Sequence, residues 1–293
     1  MTPSHTTPST EDLAGFREVQ QLAYRCAETI AAQLQPGMTE RETAALMKTW
    51  LLEQGADDWF HQPFAWFGDR TAFRGPIAIK QLGGFNPAFY PSMRKLEKDM
   101  PFILDCAPAM HGYTADIGYC GVIGENKILD RLMDDLLEYR MLILDLVKQR
   151  KHLSEVSQAV DRLCAKHGYE PRHKAYPFEV LAHRVEKHKD DGKKKHAGVL
   201  GSGFGLRNVA DLVRNSTKGM RDGTSPFWSS DSRSDHPPTP GLWAVEPHLG
   251  FRGVGAKWEE LLVITEDDAF WLDDDVPHVR RWAQRGLLNK KAA

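Results

Sequence analysis

Cysteine is scarce in this chain of 293 residues: the four present (Cys26, Cys106, Cys120, Cys164) are far apart and form no Cys-x-x-Cys pair. That spacing excludes a dense disulfide framework and fits a reducing cytoplasm. Long apolar runs are also missing, and no stretch approaches the roughly 20 residues of a membrane span. The opening MTPSHTTPSTEDLAGF has no basic start followed by an apolar run, so a signal peptide is not expected and the chain reads as cytoplasmic. Neither sign of charge dominates: 38 basic and 40 acidic residues leave a net charge of −2. Such a balance carries no electrostatic footprint for nucleic acid or a membrane surface, and the expected partner is a small molecule or short peptide. The glycine-rich GSGFG at 201–205 lacks the Gly-Lys-Ser/Thr ending of a phosphate loop and a clear strand before it, which leaves a lid or hinge.

What the chain does have is enough apolar material, 41% of its residues, to bury a large core. After a polar tail (1–12), Phe16, Val19, Leu22, Ala23 and Ile30 mark one face of a helix that ends before Pro36-Gly37. Thr39 followed by Glu42 has capping-box spacing and opens a second helix through Leu46, Met47, Trp50 and Leu51. A similar pair returns over 127–148 and 153–168, and strand-like segments follow each pair: 65–67, 102–105 and 113–123, then 178–183, 243–247, 261–265 and 270–272. The expected architecture is therefore α/β, a duplicated pair of αβ halves with antiparallel hairpins. Residues 13–275 form one domain, 187–241 read as an insertion with a helix possible near 209–214, and 276–293 as a C-terminal helix and tail.

Four carboxylates stand out because they sit in apolar, strand-like sequence. Asp105 and Asp116 lie in FILDCAPAMHGYTADIGYCGVI, and Glu246 and Glu259 in GLWAVEPHLGFRGVGAKWEELLVI. A turn centred between Met110 and His111 places Asp105 opposite Asp116, with Cβ atoms about 5 Å apart. The same arithmetic centres a second hairpin between Arg252 and Gly253 and opposes Glu246 to Glu259. Like charges at 4 Å repel by roughly 4 kcal/mol at an effective dielectric of 20, before desolvation is counted. Two divalent cations about 3.5–4 Å apart would neutralise the group and give a site that polarises a carbonyl and activates water. A histidine would complete the shell. His111, at the turn, reads as a solvent-facing residue.

At these residues the chain resembles the pita-bread metallohydrolases, the group of methionine aminopeptidase, Xaa-Pro aminopeptidase, prolidase and creatinase, over roughly 14–275. Asp105 and Asp116 match the family's pair of aspartates eleven residues apart. Glu246 matches the glutamate of its V-E-P strand, and Glu259 the last glutamate before V-I-T-E, with GVGAKWEELLVITED closely similar. The resemblance implies two pseudo-symmetric αβ halves around a curved antiparallel sheet, with helices outside. It also implies one or two Mn, Fe, Co or Zn ions, hydrolysis of an amide or peptide bond by metal-bound hydroxide, and pairing into a homodimer.

The family's Gly-His-Gly segment is absent. One placement of that histidine falls on Ser202 within 201–205; the preferred one falls on His183, which ends an apolar strand at the right separation from Asp116. Asp105, Asp116, His183, Glu246 and Glu259 are then the expected ligands. Glu246 assists proton transfer, and His188 and His196 are candidates for a substrate-facing histidine. The histidine that usually precedes the first aspartate is also missing from WFGDRTAFRG, where Arg70 or Arg74 could bind a substrate carboxylate. These departures keep open a creatinase-like C–N cleaving enzyme, an iron-dependent oxidase or lyase, and a binding protein without turnover.

Overall fold

A computed structural model describes residues 7–73, 89–176, 179–187 and 223–290. The chain opens with helix α1 (Thr10–Ala31), whose first turn is capped by the Ser9 hydroxyl accepting from the Asp12 N–H. Its residues Phe16, Val19, Leu22, Ala23 and Ile30 are buried, as their spacing predicts. Helix α2 (Glu40–Glu53) begins with the expected capping box: Thr39 Oγ1 accepts from the Glu42 N–H at 3.2 Å, and Glu42 Oε2 accepts from the Thr39 N–H at 2.7 Å.

Strands β1 (Asp58–Phe67), β2 (Pro101–Met110), β3 (Tyr113–Thr114) and β4 (Ile117–Val122) follow, with a short 3-10 turn (Gly68–Ala72) after β1. β2 pairs antiparallel with β1, β3 and β4. The second helix pair is α3 (Lys127–Lys148) and α4 (Leu153–His167); α4 is closed by Gly168 in a left-handed conformation at φ 71°. Then come β5 (Glu170–Pro171), β6 (Ala182–Val185), β7 (Phe227–Trp228), β8 (Gly241–Val245), β9 (His248–Phe251), β10 (Val254–Lys257), β11 (Glu260–Ile264) and β12 (Ala269–Trp271). One antiparallel sheet has the order β12-β11-β8-β6-β7, and a smaller one the order β10-β9-β5. Helix α5 (Pro277–Gln284) buries His278, Val279 and Trp282, and a turn of helix (Leu287–Lys290) follows it.

The order of elements repeats: a helix pair, an outer strand, a central strand, and a third strand beyond it (α1-α2-β1-β2-β4, then α3-α4-β6-β8-β11). This is the α/β duplication that the sequence pattern predicts. Several strands differ in extent: β2 runs five residues past the expected 105, 113–123 divides into β3 and β4, and β8 starts two residues before the expected 243. β1 begins seven residues before the expected 65, since Pro63 interrupts the apolar alternation without ending the strand, and β6 lies later than 178–183. Tryptophans fill the second half: Trp228 and Trp243 meet at 5.5 Å, Trp258 and Trp271 at 5.4 Å, and all four are buried. The four cysteines are buried free thiols. Among the described residues, no helix is long and apolar enough to cross a membrane. The segments 201–205 and 209–214 lie outside the described residues.

Candidate metal centre

The two hairpins bring the four carboxylates together, though the first does so by a different register from the one expected. Its turn is His111-Gly112, at φ 53° and 82°, one residue later than predicted. Two consecutive left-handed residues make a tight two-residue hairpin, from which the pairs Ala109–Thr114 and Asp105–Gly118 follow. Asp105 thus faces Gly118 and not Asp116. The displacement is two residues, an even number, so Asp116 stays on the Asp105 face as a diagonal neighbour within side-chain reach.

The second hairpin turns at Arg252-Gly253, as expected, at φ 50° and 86°. The pairs Phe251–Val254 on one side and Val245–Glu260 on the other share one register, which sets Glu246 across from Glu259. A backbone bridge between Gly118 and Glu259 joins the two hairpins. A Cβ on Gly118 would lie 2.5 Å from Lys257 Cε, so a side chain there would force Lys257 to move. The aliphatic stem of Lys257 runs through the space that a side chain at 118 would fill.

Lys257 and Glu259 are two residues apart and share a face. Buried Lys257 Nζ donates to Asp105 Oδ2 at 2.7 Å, Glu259 Oε2 at 2.8 Å and Glu246 Oε2 at 3.0 Å. On the other side stand two histidines. His61 Nε2 is 3.1 Å from Asp116 Oδ1 and 3.2 Å from Asp105 Oδ1. His183 Nε2 is 3.4 Å from Asp116 Oδ2 and 3.7 Å from Glu259 Oε1. Phe64 stacks on His61 at 4.9 Å and Phe60 on His183 at 5.0 Å.

Burial and mutual charge set the protonation of this cluster. Burial, then the neighbouring carboxylate of Glu259, pushes Glu246 up to about 8. Burial also raises Asp105, against the pull of Lys257, to about 6. Burial raises Asp116 too, but His61 and His183 outweigh it and hold Asp116 well below the usual carboxylate range. The histidines move the other way: burial disfavours their charge, yet Asp116 with Asp105 brings His61 to about 9, and Asp116 with Glu259 brings His183 to about 10.

The donor set fits a divalent transition ion. Imidazole and carboxylate suit Mn, Fe, Co and Zn, and Glu259 Oε1 is buried with no hydrogen-bond partner, an acceptor that a cation would satisfy. Among the described residues, two groups have ligand atoms all within 4.8 Å of one another: His61, Asp105 and Asp116; and Asp116, His183 and Glu259.

Of the residues expected from sequence, Asp105, Asp116, His183, Glu246 and Glu259 meet here. Arg70 has its hydrogen bonds elsewhere, Nε to Glu40 Oε1 and Nη2 to the Tyr90 carbonyl, both at 2.8 Å. His111 is exposed in its turn. Arg74, His188, His196 and Ser202 lie outside the described residues. Sequence reasoning missed His61 and Lys257. For His61 the available signal was a lone imidazole in the otherwise aromatic run DWFHQPFAWF; for Lys257 it was its alternation with Glu259.

The comparisons with known proteins agree with this architecture. The X-Pro aminopeptidase of Thermotoga maritima superposes with a TM-score of 0.66 at 18% identity, over 94% of this chain and 64% of that one. The prolidase of Pyrococcus furiosus gives 0.62 at 17%, over 92% and 65%. A variant of Escherichia coli aminopeptidase P, solved in complex with substrate, gives 0.61 at 16%, over 99% and 62%. This chain thus spans less than two thirds of the length of each. No curated protein matches it. The folds are the same pita-bread fold, and the model of metallopeptidase family M24 matches residues 14–266, so the chain belongs to that family.

Proposed function

We propose that this chain is a metal-dependent hydrolase that cleaves an amide or peptide bond of a small substrate. Asp105, Asp116, His183 and Glu259, with Glu246 beside them, hold one or two ions of Mn, Fe, Co or Zn. The observation that carries this reading is the single carboxylate of Asp116 set between two imidazoles, next to a buried Glu259 oxygen that accepts no hydrogen bond. An ion bound there supplies Lewis acidity toward a carbonyl and lowers the pKa of water.

The chain's own residues supply the rest. Lys257 fixes one oxygen each of Asp105, Glu246 and Glu259, so that their other oxygens are pre-aimed and little reorganisation is needed during reaction. Glu246, buried beside Glu259 and held by Lys257 through one oxygen, keeps its other oxygen available and is placed to carry a proton to a leaving amine. Phe60 and Phe64 cover one face of each imidazole and keep water from it.

The test is turnover of metal-loaded protein on a panel of dipeptides, with proline or methionine at the scissile bond, and of simple amides. Amine release that a chelator abolishes and Asp116→Ala removes is the expected result. Purified protein that takes up no stoichiometric transition metal under any loading condition sinks the reading. Turnover of a non-peptide substrate with no dipeptide cleaved would move it to the C–N cleaving alternative.

A further inference from the structure

We infer that His61 is a metal ligand: its Nε2, with Asp105 Oδ1 and Asp116 Oδ1, would hold an ion in a position built like the one offered by His183 Nε2, Asp116 Oδ2 and Glu259 Oε1. This rests on the metal-hydrolase reading above and adds to it a ligand that neither the carboxylate spacing nor the family pattern supplies.

The duplication is the first support. His61 lies on β1 and His183 on β6, the equivalent outer strands of the two halves. Each is paired across its sheet with an alanine, His61 with Ala107 and His183 with Ala244, which leaves room above the central strand for an imidazole to reach inward. The β1 backbone shifts register on both sides of His61, between Trp59 and His61 and again between His61 and Phe64. Paired irregularities of this kind re-aim a single side chain.

The second support is the orientation of the rings. Nδ1 of His61 faces the carbonyl of the next residue, Gln62, at 2.9 Å, and Nδ1 of His183 faces the carbonyl of its next residue, Arg184, at 3.4 Å. An N–H donated to a backbone carbonyl fixes the tautomer and leaves the Nε2 lone pair pointing into the cluster, which is how ligating histidines are commonly held.

The third support is the count of oxygens. Lys257 occupies Asp105 Oδ2, Glu259 Oε2 and Glu246 Oε2. The oxygens left on Asp105 and Glu259 each face one histidine, and Asp116 presents a different oxygen to each. Asp116 would then offer one oxygen to each position, and Asp105 and Glu259 one oxygen each to theirs. Lys257 is the positioning residue that holds them so.

Zinc alone is the probe. Wild type, His61→Ala and His183→Ala are loaded with zinc, checked for fold by circular dichroism, and assayed for ions per chain by elemental analysis and native mass spectrometry. The expected counts are two, one and one. X-ray absorption on zinc-loaded wild type needs no variant and is expected to give one imidazole per zinc. A folded His61→Ala that keeps two ions, or one imidazole shared between two zincs, overturns the role of His61 and leaves the hydrolase reading standing. Wild type that binds no zinc overturns the His61 assignment, and the hydrolase reading falls with it only if manganese, iron and cobalt are refused as well.

Discussion

Glu260 faces helices α3 and α5, where Arg140 holds both its oxygens, at 2.6 and 3.1 Å, and His278 adds a contact at 3.0 Å. Glu259, one residue earlier and facing the other way, shares Lys257 with two more carboxylates and keeps one oxygen without a hydrogen bond. Both are almost wholly buried, at 0% and 1% exposure, so burial does not separate them. Partner count does. Around Glu260 donors match acceptors and the ion pair is closed, a structural device. Around Glu259 four carboxylates meet one ammonium and two imidazoles, and that excess of acceptors is room for cations. A buried acid is a candidate for chemistry when its partners fall short.

The comparison breaks most visibly if the two neighbours are exchanged for alanine. Glu259→Ala is expected to lower turnover by more than the roughly 10–100-fold that an outer-shell partner costs. It should leave metal-free stability within about 1 kcal/mol, since it removes one of several repelling charges. Glu260→Ala strands Arg140 in the interior and is expected to cost 3–5 kcal/mol, in the range of about 3–5 for a broken buried pair, read by urea unfolding. Equal losses of stability in both would show that the Glu259 cluster is closed as well.

A change of pH sharpens the same contrast. At neutral pH the metal-free protein keeps His61 and His183 protonated, their pKa values being raised to about 9 and about 10. Metal must displace those protons, so zinc affinity is expected to rise with pH from 6 to 8, by about tenfold per unit for each proton released. Calorimetry in buffers of different ionisation enthalpy counts them. For stability the sign is opposite: these raised values stabilise the metal-free fold fully below the ordinary 6.5 and lose that effect as pH climbs through 9 to 10. Affinity that stays flat over this range would mean that protons do not fill the centre.

Gly118→Ala probes the positioning of Lys257 without touching a charge. The new methyl meets Lys257 Cε at 2.5 Å, and the ammonium cannot swing away without leaving three carboxylates. A loss of about 1–3 kcal/mol is expected, as for other overpacked sites, with weaker metal retention beside it. A fully stable, fully metallated variant would mean that Lys257 has slack.

Much of this was legible in the sequence. Helix periodicity and the Thr39–Glu42 cap gave the helix pairs, and the hairpin arithmetic at Arg252-Gly253 opposed Glu246 to Glu259. The register at Asp105 was read two residues off because His111 takes a left-handed φ that a non-glycine residue seldom adopts. The even slip saved the facing. His61 was hidden by its distance in sequence, 44 positions before Asp105, and by a strand that Pro63 disguises. Lys257 was hidden by habit, since a lysine in a strand is ordinarily read as solvated charge, and only the three-dimensional meeting of the two hairpins assigns it three carboxylates.

A third acid, Asp161, stands between the closed and open cases and yields the smallest effect. It is part-buried on α4, with Ser230 Oγ donating at 2.6 Å, Lys174 Nζ at 2.5 Å and His173 Nε2 at 3.3 Å. Burial raises its pKa, but His173, Lys174 and Ser230 outweigh burial and bring it to about 2, below the 3.8 of the free side chain. A lowered folded value means that the stabilisation is present above 3.8 and drains away as pH falls toward 2. Because water reaches the group, its worth is discounted to no more than about 1 kcal/mol. Asp161→Asn should therefore be less stable than wild type at pH 5, and the gap should narrow at pH 3, where the unfolded wild-type chain has begun to take up the proton that the folded one still refuses. Urea midpoints at the two pH values read the difference directly, and a gap of constant size would mean that hydrogen bonding to Ser230, which asparagine can also accept, carries the contact in place of charge.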